Sequence, residues 1–213
     1  MTAPLQGRKR EAARNDGAIL AAARDVFLED PKAPISAVAE RAGVGISALY
    51  RRYAGKEDLL RTLCHDGLKA FIDAAKDGDD MNEGWDAFTT FLRAVVEADV
   101  HALTVHLAGT FASTPEMVAD AMRANELVER LVARAHAGGR LREDFVVADV
   151  TMILEACAAI RLPDRRRSAE LRRRYLELAI DGMDRDDADR LPGPPPDPAE
   201  MNWRWAKSRP GPA

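Results

Sequence analysis

Between Ile35 and Leu60 the chain reads Ile-Ser-Ala-Val-Ala-Glu-Arg-Ala-Gly-Val-Gly-Ile-Ser-Ala-Leu-Tyr-Arg-Arg-Tyr-Ala-Gly-Lys-Glu-Asp-Leu-Leu. Two short helical patterns meet at a glycine, the spacing of a helix-turn-helix. Ala39 is small enough for the second short helix to cross close over the first, Gly43 permits positive φ, and Val44 plugs the corner. Leu49 and Tyr53, four residues apart, turn back into the domain. Ser47, Ala48, Arg51 and Arg52 are then left on the opposite face, and small and basic groups on one helix face suit the major groove of DNA. Taken alone, Arg51 and Arg52 also read as a solvated helix face; the register around them favours the DNA reading.

Other motifs fail on their context. Gly43-Val-Gly-Ile-Ser-Ala follows a helix rather than a strand, so it is not a dinucleotide fingerprint. Gly55-Lys56 has Tyr50 where a phosphate-binding loop needs its first glycine. Asp73 to Gly78 starts like a calcium loop, but Ala75 and Gly84 occupy ligand positions. His101 and His106 lie about 140° apart on a helix, and Cys64 and His65 point to different faces; neither pair forms a metal site by itself. No nucleophile motif is present. The expectation is therefore no catalytic residue, no metal and no cofactor.

The elements that must hold the Ile35–Leu60 segment are helical throughout. Ile19, Leu20, Ala23, Val26 and Phe27 form one stripe over Ala12–Leu28. A second helix runs from near Pro34 to Gly43, a third from Ile46 to Tyr53, and a fourth from about Lys56 to the polar stretch Asp77–Asn82. Further helices are predicted over Trp85–Ala98, Ala102–Phe111, Pro115–Ala137, Val146–Ile160 and Leu171–Met183. Ser113 and Glu116 have capping-box spacing at the start of the Pro115 helix. With no repeat and no βαβ alternation, the chain reads as all-α with about nine helices.

Its 213 residues, 46% apolar and 31% charged, suffice for a buried core. The longest uncharged run, Val100–Pro115, is broken by His101, His106, Gly109 and Thr110, which argues against a membrane span. The N-terminus has no apolar signal region, and Cys64 and Cys157 read as reduced core residues, so a cytoplasmic protein is expected. Net charge is −4, yet the first 60 residues hold ten Lys and Arg against eight Asp and Glu. Any anionic partner belongs at that end.

The segment Ala39–Tyr53, followed by Lys56-Glu-Asp-Leu-Leu and preceded by Ala21-Ala-Ala-Arg-Asp-Val-Phe, resembles the TetR family of one-component transcriptional regulators. The likeness covers roughly Ala12 to Phe71. It departs at Pro34, where the family usually caps the second helix with Thr or Ser, in the short loop Asp30–Pro34, and at Ala48, where a Thr is usual. The resemblance implies that Tyr50, Arg52 and Lys56 touch phosphates, and phenol, guanidinium and ammonium are groups that do so. Ser36, Gly45, Ile46, Ser47, Ala48 and Arg51 are the candidates for approaching base edges. Arg8, Lys9, Arg10 and Arg14 read either as a DNA-reaching arm or as a disordered tail.

The expected organisation is a basic flexible arm (1–11), a three-helix DNA-binding domain (12–71, motif 34–53), a helical ligand-binding and dimerisation domain (72–191) and a Pro-rich disordered tail (192–213). That tail holds seven of the twelve prolines and also Trp203 and Trp205. In the last helix Leu171, Tyr175 and Leu178 lie on one side and Leu176, Ile180 and Met183 on another, and two apolar faces suggest two partners. The resemblance implies a four-helix dimer bundle, so Val150, Leu154, Leu171, Tyr175 and Leu178 are assigned to its interface, with plain core as the alternative. Trp85, Phe88, Phe91, His106, Phe111 and Met122, with Met117, are candidate cavity walls for a small-molecule effector, and ordinary core is again the alternative. The expected partners are a pseudo-palindromic double-stranded operator, a second copy of the chain and that effector, and no membrane. The rival functional readings are a helical scaffold with a structural helix-turn-helix and an enzyme in a helical bundle.

Overall fold

The computed structural model describes residues 3–107, 110–184, 189–197 and 200, with side chains from Asn15 onward except at 102 and 104–106. These residues form nine helices: α1 (Ala3–Glu29), α2 (Ile35–Ala42), α3 (Ile46–Arg52), α4 (Lys56–Asp79), α5 (Gly84–Ala98), α6 (Val100–Leu107), α7 (Pro115–Ala137), α8 (Val147–Ala159) and α9 (Arg165–Met183). One isolated antiparallel bridge joins Leu141 to Asp184. None of the described helices is long and apolar enough to cross a membrane.

Several ends differ from the periodicity reading, each for a local reason. Instead of a flexible arm over 1–11, α1 is helical from Ala3; Pro4 suits a first turn, and Gln6, Arg8, Lys9, Arg10 and Glu11 are strong helix formers without apolar period. Thr114, not Ser113, caps α7, its hydroxyl accepting from the Met117 N–H at 3.2 Å. α9 begins at Arg165, six residues before Leu171, because the Asp164 carboxylate accepts from the N–H groups of Arg166 and Arg167. The run Arg165–Arg167 carries no apolar signal by which to find that start. Trp203 and Trp205 lie outside the described residues.

Two hydrophobic clusters are present, and they do not divide at residue 71. The first joins α1, α2, α3 and the start of α4 through Phe27, Val38, Leu49, Leu59 and Leu63, and it also takes Leu103 and Leu107 of α6 together with Phe111 and Met117. The second is built on α5, α7, α8 and α9 around Phe88, Phe91, Leu92, Leu131 and Leu154, and it takes Ile72 and Ala75 from the far half of α4. α4 therefore runs unbroken from one cluster into the other. Gly84 is required where α5 meets α7: a Cβ there would lie 2.3 Å from the carbonyl oxygen of Arg134. Both thiols are free and buried, one in each cluster, and burial pushes Cys64 up to about 12.

Candidate nucleic-acid interface

The α2–α3 turn is built by local bonds. Gly43 takes the left-handed conformation at φ 66°, and the N–H groups of Gly43 and Val44 donate to the carbonyls of Glu40 and Ala39. Gly45 then opens α3, with Ala48 N–H donating to its carbonyl at 2.8 Å. Leu49 is fully buried and Tyr53 nearly so. That anchoring turns the other side of α3 outward: Ile46 is 40% and Tyr50 53% exposed, Ser47 and Arg51 are exposed and Ala48 is half-buried. Ser36 on α2 and Gly45 in the turn are exposed beside them. Apart from the half-buried Ala48, the residues singled out for base edges are all exposed. Among the described residues neither the Tyr50 nor the Arg51 side chain has an intramolecular hydrogen bond or ion pair.

Arg52 and Lys56 have structural partners that the spacing does not reveal. Arg52 grips the Asp16 carboxylate of α1 with Nε at 2.9 Å and Nη2 at 2.7 Å, and the Tyr53 hydroxyl donates to the same carboxylate at 2.6 Å. The Arg52 fork holds Asp16 below the usual carboxylate range. Burial, and then the bond to Asp16, pushes the Tyr53 phenol up. Arg52 remains 62% exposed along its side chain, so it ties α3 to α1 while its Nη1 group is uncommitted.

A pH effect follows. Asp16→Asn should cost about 1 kcal/mol of stability at neutral pH. The folded pKa of Asp16 lies below its unfolded value, so its contribution is full above about pH 4 and is lost as pH falls through the folded value. Urea unfolding of wild type and variant should differ at neutral pH and converge in acid; a gap that persists at about pH 2 would remove Asp16 ionisation as its source.

The Lys56 ammonium, expected against phosphate, donates instead to the carbonyls of Pro31 at 2.9 Å and Ala33 at 2.7 Å, and it lies 5.1 Å from the centre of the Phe27 ring. The short loop Asp30–Pro34 explains this. Asp30 already closes the turn by accepting from the N–H groups of Lys32 and Ala33, which leaves the carbonyls of Pro31 and Ala33 in need of a donor.

The helix-turn-helix unit is fastened to the rest of the chain by charged groups that sequence reasoning missed. Asp99, at the C-terminus of α5 with φ 51°, receives Arg172 of α9 at 2.6 Å and Arg24 of α1 at 3.3 Å. Arg172, only 9% exposed, also donates to the Ile160 carbonyl at 3.0 Å. Arg161 reaches the Leu28 carbonyl at 2.9 Å, and Arg165 pairs with Asp25. One signal was readable: Arg172 continues the stripe Leu176, Ile180, Met183, so an arginine occupies a core position.

Among the proposed effector and dimer residues the structure sorts differently. Trp85, Phe88 and Phe91 are buried together, with Phe71 edge-on to Phe91 at 5.2 Å and Phe145 edge-on to Phe88 at 5.8 Å. They form close-packed core and not an open cavity. Phe111 belongs to the N-terminal cluster, drawn there by the α6–α7 connection, and Met122 is 63% exposed because it lies on the outer side of α7. The His106 side chain lies outside the described ones. A void of about 10 Å³ lies nearby, lined by Val95, Leu154, Cys157 and Arg172 among others, room for about one water. Val150 and Leu154, assigned to a dimer interface, are each 2% exposed and belong to the core of the single chain. The inner side of α8 packs on α5 and leaves nothing of these residues for a partner. Tyr175 and Leu178 are each 53% exposed, Leu171 is half-buried, and Met152 of α8 is 39% exposed.

Residues 19–63 match the family described as bacterial regulatory proteins, tetR family, and residues 84–185 match the C-terminal domain of SbtR-like transcriptional regulators. No protein of curated function matches the chain in sequence. Among solved structures, the TetR transcriptional regulator SCO0520 from Streptomyces coelicolor is similar at 26% identity and a TM-score of 0.54, over 81% of this chain and 99% of that one. The TetR regulatory protein from Mycobacterium vanbaalenii gives 24% and 0.54, over 83% and 99%. The ketosteroid transcriptional regulator KstR2 of Mycobacterium tuberculosis gives 18% and 0.62, over 80% and 95%.

Proposed function

Because the chain belongs to the TetR family of transcriptional regulators, matched at both its N-terminal and C-terminal parts, we propose that this DNA-binding regulator is a homodimeric repressor. It grips a pseudo-palindromic operator in the cytoplasm and is released by a small molecule bound among its C-terminal helices. The observation that carries this reading is the outward face of α3, where Ile46, Ser47, Tyr50 and Arg51 are exposed while Leu49 is buried. Ser47, Ala48 and Arg51, with Ser36, Gly45 and Ile46 beside them, meet base edges. Tyr50 and the free side of Arg52 meet phosphates. Lys56 holds the α1–α2 corner, and any phosphate contact it makes is additional to that duty. No catalytic step is part of this reading.

Release needs an effector that binds two states of the C-terminal helices unequally. Because Trp85, Phe88 and Phe91 are packed core, an effector among them would have to open that packing, and α4, which runs through both clusters, is the element that would carry the change to the recognition helices. A hundredfold loss of operator affinity requires only about 2.7 kcal/mol of coupling.

The test is a salt-dependent titration on the DNA upstream of the protein's own coding region, with Arg51→Ala and Lys56→Ala beside wild type. Arg51→Ala should cost about 1–3 kcal/mol and relax base preference at one position in each half-site. Lys56→Ala should lower the melting temperature and leave base preference alone. Absence of salt-dependent binding by the folded wild type would leave a structural helix-turn-helix and sink the regulator reading.

A further inference from the structure

We propose that His65, Glu116 and Asp120 form a site for a divalent transition ion of the Zn²⁺ class, which fastens α4 to α7. Their ligand atoms, one imidazole nitrogen and two carboxylate oxygens, all lie within 4.8 Å of one another. His65 stands on α4 with a side chain only 12% exposed, and its Nε2 is 2.7 Å from Oδ2 of Asp120, whose side chain is 25% exposed. Glu116 and Asp120 are four residues apart on α7, so they share a face, and Glu116 lies in the first turn, where the helix start favours negative charge.

The pairing pattern around them is informative. Nearby, Arg61 takes both Glu57 and Asp58. Among the described residues neither Glu116 nor Asp120 has a Lys or Arg partner, and both carboxylates converge on an imidazole. An incoming cation would therefore meet two carboxylates and an imidazole with no Lys or Arg side chain competing for them. An alkali or alkaline-earth ion prefers all-oxygen ligands, whereas mixed nitrogen and oxygen donors suit Zn²⁺ and its neighbours. Metal–ligand bonds of about 2.0–2.1 Å in a tetrahedron separate the donors by about 3.3–3.4 Å. His65 and Asp120 would part by about 0.6 Å from their present 2.7 Å and Glu116, which is exposed, would swing in. Water fills the fourth position.

The spacing in sequence hid this site. His65 and Asp120 are 55 residues apart, and Cys64, the adjacent thiol, points into the N-terminal cluster and takes no part. The site also lies where a clamp has leverage. Leu63 and Cys64 beside His65, and Met117 beside Glu116, belong to the cluster that holds the helix-turn-helix.

The experiment uses the full chain stripped of metal with a chelator. Co²⁺ is titrated and followed by visible absorption, and Zn²⁺ is then added in competition. One saturable ion per chain is expected, with a melting temperature raised by about 5 °C at a hundredfold excess over Kd. His65→Ala and Asp120→Asn should weaken binding at least about a hundredfold, since loss of even an outer-shell partner costs about 10–100-fold, and Glu116→Gln, at the exposed position, about tenfold. His136→Ala, outside the site, should bind as wild type. Glu116→Gln alters an exposed side chain and keeps the test open if His65→Ala fails to fold. Undiminished binding in folded Glu116→Gln and Asp120→Asn, or no saturable binding at micromolar ion, would overturn the proposal and leave a plain His65–Asp120 ion pair. The readout is independent of DNA, so its failure leaves the regulator reading untouched.

Discussion

Leu178→Glu is expected to leave a folded chain that no longer dimerises and no longer holds its operator. Leu178 and Tyr175 are each more than half exposed in the single chain, so a carboxylate there costs the monomer only about 0.5 kcal/mol. In a dimer the same side chain would be buried against its mate, where an unpaired charge costs several times more. Two linked half-site contacts outweigh one by about 10²–10⁴ in affinity, so loss of the dimer should read as a near-complete loss of operator binding. Sedimentation and operator titration measure the two effects on one sample. The contrasting variant is Leu154→Glu: this residue is 2% exposed and should unfold the chain instead of splitting a dimer. An undisturbed dimer of folded Leu178→Glu would place the interface elsewhere.

The second large effect is expected at Asp99. Its carboxylate joins Arg172 of α9 to Arg24 of α1, and Asp99→Ala would leave the nearly buried Arg172 guanidinium without its counter-charge. Breaking a buried pair from one side costs about 3–5 kcal/mol, and the left-handed backbone at φ 51° adds strain for alanine. A loss of about 3 kcal/mol in urea unfolding is the expected result, because Arg24 is partly solvated and recovers some of its interaction in water. Asp99→Gly relieves the backbone strain and isolates the charge effect. A double-mutant cycle with Arg172→Met should show coupling above about 1 kcal/mol. Coupling within error of zero would make the bridge ornamental and remove it as the link between α1 and the C-terminal helices.

The helices, the α2–α3 turn and the outward residues of α3 were legible in the sequence because they depend on neighbours three and four residues away. Given Leu49 and Tyr53 as anchors, geometry alone places Ser47 and Arg51 on the other side. In α9 the division into a Leu176–Ile180–Met183 stripe and a Leu171–Tyr175–Leu178 stripe also followed from period. Which of the two faces the protein's own core did not, since both are apolar; that depends on where α5 and α8 lie. The same limit misplaced Val150 and Leu154, whose apolar character fits a partner as well as a core.

Tertiary structure alone decided where polar atoms of distant elements find partners. Lys56 meets the Pro31 and Ala33 carbonyls more than 20 residues away, Arg24 meets the Asp99 backbone 75 residues away, and His65 meets Asp120 across α4 and α7. Phe111 and Met117 were placed with the wrong cluster because nothing local to them records that the α6–α7 connection folds back onto the N-terminal helices. Local sequence determines helical period and the residues that share a face. A hydrogen bond or charge pair between distant elements is selected only after packing has removed water and fixed which donors and acceptors remain unsatisfied.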